Sequence, residues 1–237
     1  MIQSELSRPT MLNPSKSLNL SSQSDLTESA DSAESVFSSK SAELDADGWY
    51  SSATRLPSSN FDARSEQAEV SLLVIHNISL PAGQFGGSAI ADLFLNQLDY
   101  SLHPSFESLR GMRLSSHFLI RRDGSLLQFV STAARAWHAG VSQFNGKSGC
   151  NDFSVGVELE GTDTQEFEAA QYQTLVSLSN ALCQKLPIRN IVGHQDIAPG
   201  RKTDPGSYFD WKQYKKLFEQ EFRLVLTHAV PSFPFML

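Results

Sequence analysis

Three features of the sequence predict a mixed α/β domain, with helices packed on a central β-sheet. They are the continuous apolar run Leu72-Leu73-Val74-Ile75, a hairpin centred on Asp123-Gly124, and a change from strand to helix periodicity between residues 153 and 187. The apolar run reads as a strand buried on both faces, and it ends at His76-Asn77. In the hairpin, residues 116–120 and 126–130 flank Arg121-Arg122-Asp123-Gly124-Ser125, with Arg121 and Arg122 expected as solvated charges at its tip. From Phe153 to Glu160 the chain alternates: Phe153, Val155, Val157 and Leu159 take one face, and Ser154, Gly156, Glu158 and Glu160 the other. Asp163-Thr164-Gln165-Glu166 resembles a helix start with an acidic first turn. Tyr172, Leu175, Val176, Ser179, Leu182 and Leu186 then follow at helical spacing until Pro187 stops the helix. A short strand from Ile188 to Val192 leads into Gly193-His194. Asp210 is placed to cap a last amphipathic helix whose stripe is Trp211, Tyr214, Leu217, Phe218, Phe222 and Val225.

Composition changes near residue 46. Residues 1–45 hold 13 serines, one aromatic, and 7 acidic against 3 basic residues. So little apolar surface cannot offset the entropy of ordering, so this segment is read as a disordered tail. The simplest partition is tail 1–45, catalytic domain 46–223 and C-terminal tail 224–237. The net charge of −7 argues against binding nucleic acid by phosphate neutralisation. No apolar run is long enough to span a membrane, and no basic-then-apolar leader opens the chain, so a cytoplasmic protein is expected. Nothing resembles a coiled coil or a large apolar stripe, which points to a monomer. Cys150 and Cys183 read as ordinary reduced residues.

The chemistry concentrates where two histidines each follow a strand. His76 and His194 have the rigid base and accessible ring that a metal ligand needs, although either alone reads better as a histidine bonded to backbone at a strand end. The loop from His194 to Gly206 carries Lys202 and Asp204, and Pro199 and Pro205 stiffen it, which suits a preorganised site. Asp196 rivals Asp204 as a third ligand but reads better as a loop residue.

Five stretches, Leu73–Pro81, Arg121–Gly124, Ala136–Gly140, Gly156–Gly161 and His194–Gly206, together resemble the AmpD amidases. These are zinc N-acetylmuramoyl-L-alanine amidases of anhydro-muropeptide recycling, in a wider group with T7 lysozyme and the peptidoglycan recognition proteins. The resemblance implies that group's α/β fold, a mixed sheet flanked by helices. It also implies one Zn2+ held by His76, His194 and Asp204, with Glu158 as general base and Lys202 beside the oxyanion. Two imidazoles and a carboxylate form a chemically sensible zinc set with an open fourth position. Glu160, on the same strand face as Glu158, is the weaker competitor, and Glu158 reads equally well as a surface strand residue on alternation alone. Trp137, His138 and Asn77 are weaker candidates for lining the substrate, an anhydro-muropeptide. His117 is expected in the core near the metal. An amidase acting on intact peptidoglycan and a non-catalytic peptidoglycan-binding module are the alternatives.

Overall fold

The computed structural model describes residues 42–222 and 230–233. The predicted disorder of residues 1–41, and Val225 of the last helical stripe, lie outside the described residues.

In chain order the elements are β1 (Thr54–Arg55), β2 (Phe61–Ala63), β3 (Leu72–Ile78), α1 (Ala89–Phe94), β4 (Phe118–Ile120), β5 (Leu126–Gln128), β6 (Ala134–Ala136), β7 (Gln143–Phe144), β8 (Lys147–Ser148), β9 (Ser154–Glu160), α2 (Ala169–Lys185), β10 (Asn190–Gly193), α3 (His194–Ile197) and α4 (Trp211–Phe222). Six strands form one mixed sheet in the order β1-β5-β4-β9-β3-β10. Only the β4–β5 hairpin is antiparallel within it, while β4, β9, β3 and β10 run parallel, with β9 and β3 inside the sheet and β10 at its edge. The expected α/β sheet flanked by helices is therefore what forms.

Alternation assigns the two faces. Leu73, Ile75, Phe118, Ile120, Val155, Val157, Leu159 and Ile191 pack with α2 and α4 in one apolar core. On the opposite face Leu72, Val74 and Val192 join Ala139, Cys150, Phe153 and Ile197. Phe153, expected on the face of Val155, lies here because it ends a helical turn at 150–153 and the alternation begins only at Ser154. Burial of each large side chain contributes about 1.5–3 kcal/mol, so a strand covered on both sides is held firmly in register.

Several element boundaries differ from expectation, the hairpin strands being shorter, with β4 starting at Phe118 and β5 ending at Gln128. Helix α2 starts at Ala169 and not near Asp163, because the Glu168 N–H donates to the Gln171 side-chain oxygen at 3.0 Å in a capping box. The Asp163 carboxylate is instead drawn to Asn77 and Thr203. Strand β10 begins at Asn190, where its parallel register with Leu72 begins. Asp210 caps α4 as predicted, accepting from the Gln213 N–H at 2.9 Å. Either side of the predicted 46–223 domain, Leu44 is buried and bridges Tyr50, while Phe233 packs its ring on Tyr214 and Phe218. Both cysteines are free, as expected. Among the described residues no helix is long and apolar enough to cross a membrane.

Candidate active site

Because β9, β3 and β10 are parallel, their C-terminal ends lie side by side, which is where open α/β sheets collect ligands. His76 near the end of β3, Glu158 near the end of β9 and His194 directly after β10 meet there on the face away from α2. His76 and Glu158 are register partners across adjacent strands. The loop after α3 brings Asp204 to the same point. Its carbonyl accepts from the Gln195 N–H at 2.9 Å, and Lys202 N–H donates to Ala198 O at 3.0 Å.

The three polar groups converge tightly. His76 Nδ1 and His194 Nδ1 are 3.0 Å apart, and each lies 3.0 Å from Asp204 Oδ2. His194 Nε2 lies 3.1 Å from the Ala139 carbonyl oxygen, which only accepts, so the ring's proton is on Nε2 and Nδ1 presents a lone pair. Burial first, partly offset by contact with Asp204, lowers the His76 pKa to about 4, so the ring is neutral at pH 7. A carboxylate oxygen and two lone-pair nitrogens converging at this distance concentrate negative potential, a cost that the hydrogen bonds on the far side of each ring offset and that a bound cation would relieve. This donor set therefore fits a metal ion, and among the described residues His76, His194 and Asp204 form such a group.

Glu158 is buried, and its Oε2 has no hydrogen-bond partner. Burial foremost, then the Asp204 charge, pushes its carboxyl well above the usual range, while the Lys202 ammonium opposes them. A surface-strand role for Glu158 is thereby excluded. Its rival Glu160 is consumed elsewhere: Oε1 accepts from Arg121 at 3.2 Å and from the Gly86 N–H at 2.7 Å, and Oε2 accepts from the Arg122 N–H at 3.2 Å. The arginines are thus not solvated as predicted. Arg121 turns inward because buried Glu160 needs a counter-charge, and Arg122 pairs with Glu168 and covers the Phe85 ring. Lys202 itself is exposed at the rim.

The weaker candidates separate. Asn77 Nδ2 donates to Asp163 Oδ1 at 2.6 Å and to the Pro205 carbonyl at 3.0 Å, tying the strand end to the Asp204 loop. Trp137 is anchored by its N–H to Ser115 Oγ, by Asp62, and by the Arg113 guanidinium over its ring. His138 lies against His76, with its Nδ1 2.9 Å from His76 Nε2. Asp196, expected in a loop, lies in α3 and accepts from the Gly193 N–H at 2.7 Å, capping that helix rather than joining the donor set. His117 is fully buried; its Nδ1 accepts from the Gly156 N–H and its Nε2 meets the Ala134 carbonyl, in the core as expected.

Sequence reasoning overlooked three contributors. Ser154 shares the Glu158 face by simple alternation and touches His138. Asn151 Oδ1 accepts from the N–H groups of both His138 and Ala139. Arg64, half-buried and bonded to the carbonyls of Thr132, Asn151, Asp152 and Ser154, gives no local signal at all.

Sheet and site together define a mixed α/β enzyme with a metal-capable centre at its strand ends. The chain belongs to the N-acetylmuramoyl-L-alanine amidase family, whose sequence model matches residues 66–207, and it is an amidase of that family. It is 50% identical over 173 residues to the 1,6-anhydro-N-acetylmuramyl-L-alanine amidase AmpD of Citrobacter freundii, covering 72% of this chain and 92% of that protein. It is likewise 50% identical over 176 residues to AmpD of Escherichia coli K12, covering 73% and 96%. A crystal structure of a selenomethionine AmpD derivative superposes with a TM-score of 0.72 at 51% identity, covering 73% of this chain and 98% of that one.

Proposed function

We propose that this chain is a zinc-dependent amidase that cleaves the bond between the lactyl carbonyl of (1,6-anhydro-)N-acetylmuramic acid and the nitrogen of L-alanine. Its substrate is a muropeptide, and its setting is cytoplasmic peptidoglycan recycling by a monomer. One observation carries the reading: an unpartnered carboxyl oxygen of Glu158 lies buried beside the convergent donors of His76, His194 and Asp204, in a chain half identical to AmpD enzymes.

His76, His194 and Asp204 would hold the zinc. When bound, zinc polarises a carbonyl and lowers the pKa of water to about 7. Glu158 removes the proton from the attacking water and returns one to the departing L-alanine nitrogen, so the C–N bond breaks as a neutral amine leaves. Its raised pKa suits both halves of that transfer. The Lys202 ammonium, close enough to act on Glu158 and His76, offsets the charge developing on the carbonyl oxygen. Asn77 positions the Asp204 loop. Catalysis is assigned to residues 46–223, with the two tails outside the reaction; removing residues 1–41 leaves turnover unchanged, whereas cutting past Leu44 removes a packed side chain.

The test is hydrolysis of 1,6-anhydro-N-acetylmuramyl-tripeptide followed by mass spectrometry, with intact peptidoglycan in parallel. Wild type, zinc-stripped, zinc-restored and Asp204→Ala proteins are compared. Zinc-dependent release of free tripeptide that fails in Asp204→Ala supports the reading. Faster release from the polymer moves the enzyme to the intact wall, and binding without release makes it a recognition module.

A further inference from the structure

A chain of hydrogen bonds runs from His76 away from the metal-capable centre and ends on a backbone carbonyl, and that end determines every proton along it. The Ser154 hydroxyl donates to the Cys150 carbonyl oxygen at 2.6 Å. A hydroxyl has one proton, so Ser154 Oγ can only accept from His138 Nε2, 3.1 Å away. His138 therefore carries its proton on Nε2, which leaves Nδ1 as a lone pair. That lone pair is 2.9 Å from His76 Nε2, so the His76 proton must sit on Nε2. His76 Nδ1 is then unprotonated and faces His194 Nδ1 and Asp204 Oδ2.

Two further features build this arrangement into the fold. The Asn151 side chain fixes the backbone at His138 and Ala139 with bonds of 3.1 and 2.7 Å. Gly156 makes room for the His138 ring: a Cβ there would lie 2.5 Å from His138 Cγ. The His76 and His138 rings meet edge to face at 5.0 Å between centroids.

We propose that His138 and Ser154 are positioning residues that lock His76 in the tautomer able to ligate through Nδ1, with the Cys150 carbonyl as the fixed terminus. An imidazole free to choose would place its proton on Nδ1 part of the time, and that form cannot bind a metal there. His194 is held in the same tautomer separately, by the Ala139 carbonyl. Both histidine ligands are thus set by backbone oxygens, one directly and one through a serine and a histidine. This rests on the metal-site reading above, but the proton positions follow from the protein alone.

The test has two arms. In 15N-labelled, zinc-free wild type at neutral pH, long-range proton–nitrogen correlation spectra assign each ring. The expected pattern is a protonated Nε2 and bare Nδ1 for both His76 and His138; a proton on His76 Nδ1 overturns the proposal. Zinc affinity by chelator competition is the second arm. His138→Ala weakens zinc binding about 10- to 100-fold. His138→Gln keeps an acceptor for His76 and a donor for Ser154, and so recovers most of that loss. Ser154→Ala, a small change, lies between wild type and His138→Ala, with mixed His76 tautomers in its spectrum. Zinc affinity in His138→Ala within twofold of wild type, or no recovery in His138→Gln, reduces His138 to a packing residue and overturns the proposal. A wild type that binds no zinc defeats the metal-site reading, while the spectra still decide the proton positions.

Discussion

His76 and Glu158 are register partners on neighbouring parallel strands, so a ligating imidazole and a buried carboxyl are held one sheet spacing, about 4.8 Å, apart by the backbone itself. Neither depends on a loop for its position, whereas Asp204 and Lys202 arrive on one. The centre thus combines a rigid half on β3 and β9 with a half supplied by the Pro-stiffened loop.

Glu158→Gln separates chemistry from stability. Loss of the base should lower kcat by about 10²- to 10⁴-fold with zinc affinity largely retained. The carboxyl is raised by burial, so its ionised form opposes folding between its unfolded and folded pKa values. The neutral amide should therefore keep or raise the Tm at pH 7. A drop in Tm alongside lost activity, measured by calorimetry, would show Glu158 to be structural.

Gly156→Ala should act through His138. The new methyl collides with the ring, and overpacking of this kind costs about 1–3 kcal/mol. Displacing the ring should also weaken zinc binding, which titration against a chelator reads directly. Unchanged zinc affinity would mean that the ring relaxes without disturbing His76.

Arg121→Ala removes the counter-charge of buried Glu160, which keeps only the N–H groups of Gly86 and Arg122. The expected loss is about 2–3 kcal/mol in urea unfolding. The double variant Arg121→Ala/Glu160→Gln should recover part of it, because no unpaired charge then remains. Additive losses would contradict this pairing.

Acid should destabilise the zinc-free protein through His117. Burial first, then the Arg64 charge, lowers its pKa to about 3. The unfolded chain takes up a proton below about pH 6.5 while the folded chain does not until about pH 3. Stability is therefore full above pH 6.5 and falls as pH drops through that window. At about 1.4 kcal/mol per pH unit, roughly 2 kcal/mol is lost by pH 5. Urea unfolding at pH 7.5 and 5 should show a shallower fall for His117→Gln than for wild type; equal falls would assign the acid sensitivity to other groups.

The sequence by itself determined the five strands β3, β4, β5, β9 and β10 and the two long helices α2 and α4. Alternation from Ser154 to Glu160 and the run at Leu72–Ile75 are local patterns, and a period of two or of 3.6 decides which side chains share a face. Resemblance to a family then singled out His76, His194, Asp204, Glu158 and Lys202, and the fold brings the first three to one point with Glu158 beside them. Tertiary structure alone decided the rest. His76 meets His138 across 62 residues, His194 across 118 and Asp204 across 128, and no local pattern encodes which strand will lie beside which. Arg121, which looks like a solvated hairpin charge, turns inward because β9 places Glu160 within reach, while Arg122 is held by Glu168 at the start of α2. Gly156, which alternation places on the glutamates' face, leaves the space that the His138 ring fills. Periodicity sets which way a side chain points, and sheet order sets what it meets.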